Sequence, residues 1–145
     1  MGLYERILVP VEGRPTDEPL LRHIRELAAA HGSEVVLLRV AHYHTRDERT
    51  HEVEDGEAAL AWAAARLQGG GFPVRTELGH GEPEKAILAA ARELRPDLIA
   101  MAMHGHGWLS RLLFGSVVES VRGRIDVPLL LVRGRELDED REGEG

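Results

Sequence analysis

Residues 97–116 read DLIAMAMHGHGWLSRLLFGS, and this stretch decides the fold. Asp97–Met103 is a continuous apolar run, the pattern of a short strand buried on both faces. Glycines follow at 105, 107 and 115, and Ser116 then opens a helix, with Glu119 three residues on completing a capping box. A buried strand that feeds a helix through a glycine-rich loop is the repeating unit of a parallel sheet.

Working outward, Arg6–Val11 (RILVPV) and Glu34–Ala41 (EVVLLRVA) are apolar runs of the same kind, and Pro128–Val132 (PLLLV) is the last. Val74–Leu78 (VRTEL) alternates apolar and polar residues, as an edge strand does. The segments between them carry helical periodicity. Thr16 or Asp17 caps a first helix, Pro19 sits in its first turn, and Leu20, Ile24, Leu27, Ala28 and His31 share one face before Gly32 ends it. His42–Thr50 is polar and reads as a loop. Val53, Leu60, Ala64 and Leu67 mark a second helix, closed by Gly69-Gly70-Gly71. Pro83 opens a third, with Ile87, Ala90, Ala91 and Leu94 inward, and a fourth begins at Ser116. Strands alternating with helices predict an α/β fold: a five-stranded parallel sheet with helices on both faces. Placing the most apolar strands centrally gives the order 3-2-1-4-5, with a switch point between strands one and four. Ligands in such sheets bind at the carboxyl ends of the strands flanking that point, here Val11–Arg14 and Met103–His106.

The 145 residues fit one domain, 43% apolar but only 4% aromatic, so the core is aliphatic. The net charge of −7 is uneven: residues 136–145 (ELDEDREGEG) hold six acids and one Arg, which leaves −2 for the rest. The expected organisation is a domain over 1–135 and a solvated, disordered acidic tail over 136–145. No basic patch interleaved with aromatics argues for nucleic acid. No apolar run has the length of a membrane span, and the start is not a signal peptide. With no cysteine, disulfides, thiol catalysis and thiolate metal sites are excluded, and a cytoplasmic location is expected.

The glycine-rich loop lets backbone approach a ligand closely and aims amide N–H groups at it. It delivers Gly115-Ser116 to a helix N-terminus, where free N–H groups and the dipole favour phosphate. Capping alone also accounts for Ser116. GxxxxGK[ST] is absent, the single lysine, Lys85, lies in the third helix, and no GxGxxG follows the first strand, so neither a P-loop nor a dinucleotide fingerprint is present.

ILVPVEG at 7–13, GEPEKAILAAARELRPDLIAMAMHG at 81–105, the loop ending in Gly115-Ser116, and VPLLLVR at 127–133 resemble the universal stress protein family. The resemblance covers residues 5–133 and implies the adenine nucleotide alpha hydrolase-like fold. ATP-binding members carry Gly, two residues, Gly, nine residues, Gly-Ser. Gly105 and Gly115-Ser116 match that spacing, whereas Ala102 replaces the first glycine and Glu12 stands where the family usually has Asp. The resemblance implies that Pro10, Val11, Glu12 and Val40 line the adenosine end. By the same resemblance Met101, Ala102 and Gly105 flank the nucleotide, and Gly115, Ser116 and Val117 hold the phosphates. ATP or another adenine nucleotide, with Mg as its companion, is the implied cofactor, in a stress-response regulatory or signalling role. The Ala102 methyl is expected to crowd a ligand, and the longer Glu12 shifts the ribose partner outward.

Two other readings stand beside this one. One is an interaction module of the same fold that binds no nucleotide. The other is a hydrolase, a weak ATPase at most, with His104 or Glu12 as base, but no nucleophile, P-loop lysine or carboxylate pair supports it. His42-x-His44 and His104-x-His106 follow strands on either side of the first and are weighed as metal ligands, with surface histidines as the default. Arg14 reads as a loop residue within reach of a phosphate, Trp62 as packing, and Trp108 as a lid or partner contact. The last strand is an uncharged apolar edge, which predicts a homodimer paired through it, with Leu130 and Val132 in the interface.

Overall fold

The computed structural model describes residues 2–103 and 126–133. The expected fourth helix, the residues His104, Gly105, His106, Trp108, Gly115, Ser116 and Val117, and the tail at 136–145 lie outside them. The described chain runs β1 (Arg6–Pro10), a 3-10 turn (Pro15–Asp17), α1 (Glu18–His31), β2 (Glu34–Ala41), α2 (Arg46–Leu67), β3 (Val74–His80), α3 (Pro83–Leu94), β4 (Leu98–Met103) and β5 (Leu129–Arg133). The strands form one parallel sheet in the order β3-β2-β1-β4-β5, as the apolar patterning predicts.

Side chains alternate across the strands and so build two cores. Ile7, Val9, Val11, Val35, Leu37, Ala100 and Ala102 meet Leu20, Leu21, Ile24 and Ala28 of α1 and Leu60, Ala63 and Leu67 of α2. On the other face Leu8, Val36, Leu38, Val40, Ile99 and Met101 meet Ile87, Leu88, Ala91 and Leu94 of α3. Each fully buried Leu, Ile or Val contributes about 1.5–3 kcal/mol. At the amino ends of the strands, the Asp97 carboxylate accepts from the amides of Glu5 and Arg6 at 2.8 and 3.1 Å, and Arg6 pairs with Glu34 at 2.8 Å. That end is tied shut.

Helix ends follow their capping chemistry. Gly32, at φ 66°, closes α1 with its amide on the Ala28 carbonyl. α3 has Pro83 in its first turn and ends on Arg95, a non-glycine residue at φ 50°. α2 departs from expectation. It begins at Arg46, not after Thr50, so the predicted loop shrinks to 42–45. The Thr45 hydroxyl caps it by accepting from the Glu48 amide at 3.1 Å, while the Glu48 carboxylate accepts from the His44 amide at 2.8 Å. Residues 46–55 are exposed or half-buried, so no apolar stripe marks this part of the helix.

β5 lies at the edge of the sheet, as expected. Leu130 and Val132 pack against the core on the α1 and α2 face, and Leu131, 43% exposed, points the other way. No helix among the described residues is long and apolar enough to cross a membrane.

Candidate functional site

At the carboxyl end of the sheet one local feature of β1 ends its pairing with β4 early. The Val11 amide donates to the Leu38 carbonyl at 2.9 Å, so position 11 faces β2. Strand amides alternate in direction, and position 10 therefore faces β4. Pro10 has no N–H to give. The β1–β4 register accordingly stops at Leu8↔Ile99, while β1–β2 continues to Pro10↔Leu38 and β4–β5 to Met103↔Arg133. The two central strands thus part company at the predicted switch point, over the residues that lead to Glu12 and Met103.

Six sequence-predicted residues lie at or near this end of the sheet. Pro10, Val11 and Glu12 leave β1, Val40 lies near the end of β2, and Met101 and Ala102 near the end of β4. All six are buried, Glu12 to 6% exposure. Val40 and Met101 belong to the core on the α3 face, Val11 and Ala102 to the core beneath α1 and α2. The Ala102 methyl is thus part of the packed interior. Gly105, Gly115, Ser116 and Val117 lie outside the described residues.

A residue that sequence reasoning assigned to helix capping shapes this end. The Asp17 carboxylate is buried, makes no side-chain cap to α1, and instead accepts from the amides of Glu12, Gly13 and Arg14 at 2.9, 2.8 and 3.5 Å. Three amides in a row are thereby turned onto one oxygen, which fixes the path of the loop and the point where Glu12 leaves the sheet. Gly13 sits at φ 80°, and a Cβ there would lie 2.2 Å from that of Ala59 on α2. The loop is therefore pressed against α2, with room only for glycine. The available signal is the spacing itself: a strand end, a glycine, and an Asp four residues later.

His42 and His44 are exposed, whereas His104 and His106 lie outside the described residues. His42 Nδ1 lies 3.0 Å from the Gly81 carbonyl, and the His42 and His44 rings stand 4.9 Å apart, edge to face. No group of three or more metal-ligating side chains occurs among the described residues. Trp62 is half-buried on α2, as its reading as packing expects, and Arg14 is exposed. Two cavities lie away from the candidate residues. One, of about 220 Å3, runs between β3 and α3 past Gly79 and Ala86; the other, of about 390 Å3, lies between α1 and α2.

Comparison with known proteins agrees with this architecture. The model of the universal stress protein family matches residues 3–133. Universal stress protein MJ0531 of Methanocaldococcus jannaschii is 28% identical over 142 residues, covering 91% of this chain and 84% of the relative. A universal stress protein solved in complex with cAMP superposes with a TM-score of 0.70 at 22% identity, over 91% of this chain and 99% of that one. A universal stress protein of Archaeoglobus fulgidus in complex with dAMP gives 0.66 at 24% identity, over 90% and 99%. These two structures share the fold with this chain.

Proposed function

Because the chain belongs to the universal stress protein family, we propose that it binds an adenine nucleotide, ATP in the first instance, at the carboxyl ends of β1 and β4. The observation that carries the reading is the early end of the β1–β4 ladder, at Leu8↔Ile99 just before Pro10, at the predicted switch point. The ligands of the two structural neighbours, cAMP and dAMP, are adenine nucleotides, and that class is carried over here as a proposal.

In this reading Pro10, Val11 and Val40 provide the apolar wall of the adenosine end. Glu12 accepts from ribose hydroxyls, its exit fixed by the Asp17 clamp on its amide. A carboxylate is the right group for that task, since it offers only acceptors. Met101, Ala102 and Gly105 flank the nucleotide. Gly115, Ser116 and Val117 hold the phosphates through backbone amides, the Ser116 hydroxyl and the helix dipole. Magnesium enters only as the counter-ion of the ATP phosphates. In this reading the role is regulatory, with little turnover.

Calorimetric titration with ATP, ADP and AMP tests the reading. The expected affinity is micromolar, about −8 kcal/mol. Gly115→Val is expected to abolish binding, because a branched side chain blocks backbone approach. No heat change at several temperatures, together with no nucleotide in the mass spectrum of the denatured protein, overturns the reading and leaves an interaction module of the same fold.

A further inference from the structure

The groove between α1 and α2 gathers positive charge that neither the core nor the strand-end site uses. Glu18, Leu21, Arg22 and Arg25 succeed one another along α1, and Arg66 of α2 completes the wall of the 390 Å3 cavity. Arg66 is well held. Its guanidinium lies 3.8 Å from the Trp62 ring centroid, its Nη2 is 3.4 Å from Glu18 Oε1, and its carbonyl accepts from Arg25 Nη1 at 3.1 Å. Three arginines against one glutamate leave a surplus of positive charge. Planar guanidinium groups are suited to carboxylates, which they bind through paired N–H donors.

The same chain carries the complementary charge. Residues 136–145 hold six acids and one Arg. β5 ends at Arg133 and contacts α1, one wall of the groove, so the acidic segment follows a strand that touches that helix. Twelve residues, 134–145, reach up to ~40 Å when extended. The 14-residue α1 is only ~21 Å long. A tether this short holds the carboxylates at a millimolar-range effective concentration, which a free anion lacks.

We propose that the acidic segment 136–145 docks across Arg22, Arg25 and Arg66 as an intramolecular strap over the α1–α2 groove. Its carboxylates supply the acceptors, and the arginine cluster the donors. The contact is electrostatic and exposed, so it is strong at low salt and screened at high salt.

The absence of cysteine in the natural sequence makes a direct test available. Gly143→Cys gives a single attachment point for a nitroxide label, whose proximity broadens nearby amide signals. At about 0.02 M salt the Arg22, Arg25 and Arg66 amides are expected to lose at least half their intensity, and to regain it at about 0.5 M. The Arg22→Gln/Arg25→Gln variant should abolish the broadening. So should the Asp138→Asn/Glu139→Gln/Asp140→Asn variant, which leaves the groove untouched. Unchanged intensities at low salt, broadening centred on another surface, or broadening that survives in both variants overturns the proposal. Mixing labelled-tail protein with isotope-labelled, untagged protein separates the sources. Broadening in that mixture assigns the contact to a second molecule, and also overturns the strap.

Discussion

At the loop after β1, one carboxylate holds successive backbone amides. Removing it in Asp17→Ala leaves the Glu12 and Gly13 amides without their acceptor in a buried setting, a loss of about 2–3 kcal/mol. Urea unfolding should show that loss, and calorimetry a nucleotide affinity weakened about tenfold, equivalent to roughly 1.4 kcal/mol. Unchanged affinity in a folded Asp17→Ala protein would separate the loop from the site. Gly13 makes a second residue-scale prediction. Gly13→Ala combines a left-handed backbone with a 2.2 Å clash on Ala59, and should cost more than about 2 kcal/mol. Ala59→Gly removes the 2.2 Å overlap but leaves the Cα of residue 59 at 2.6 Å and the backbone strain, so the double variant should recover part of the loss and not all of it. Full additivity in that cycle would contradict the contact. Gly13 and Asp17 were only partly legible in the sequence. Their residue types advertise a turn and a cap, but the bond that Asp17 makes depends on how the turn folds, which periodicity does not encode.

Among the elements, the strands were the most legible. RILVPV, EVVLLRVA and DLIAMAM are apolar at nearly every position because β1, β2 and β4 are covered on both faces, while VRTEL alternates because β3 is an edge. The start of α2 was not, since its first ten residues bury almost nothing and leave no period to read. The signal present was Thr45-Arg46-Asp47-Glu48, the pattern of a helix start, which a polar stretch conceals. Pro10 yields the prediction at this scale. Pro10→Ala restores an amide facing β4, so the ladder can extend by one hydrogen bond, a gain of about 0.5–1.5 kcal/mol. The same closure narrows the switch point, and ATP affinity should fall. Hydrogen exchange at residue 10 and a titration of the variant check both halves. An exchange-labile amide with unaltered affinity would show that Pro10 does not set the opening.

For the whole molecule, the sheet order was readable, and a dimer is the assembly expected from it. β5 ends the sheet as a strand whose described residues carry one charge, Arg133, and the unmodified chain is expected to sediment as a dimer at tens of micromolar. Leu130 and Val132 face the core, so pairing falls to the strand's backbone edge, and substituting either tests stability before assembly. Leu131→Lys, at an exposed position, is the cleaner variant and should shift the dimer toward monomer. A monomer for the unmodified chain contradicts the expectation. The proposed nucleotide site joins these scales: in that reading Pro10 sets the end of the β1–β4 ladder, the Asp17 clamp shapes the loop beside it, and the sheet order says where to look. The most direct test is an amide chemical-shift map of the protein titrated with ATP. Saturable shifts centred on residues 11–14, 40–42 and 101–103 are predicted; shifts absent at millimolar ATP, or centred on the α1–α2 or β3–α3 groove, would contradict the account.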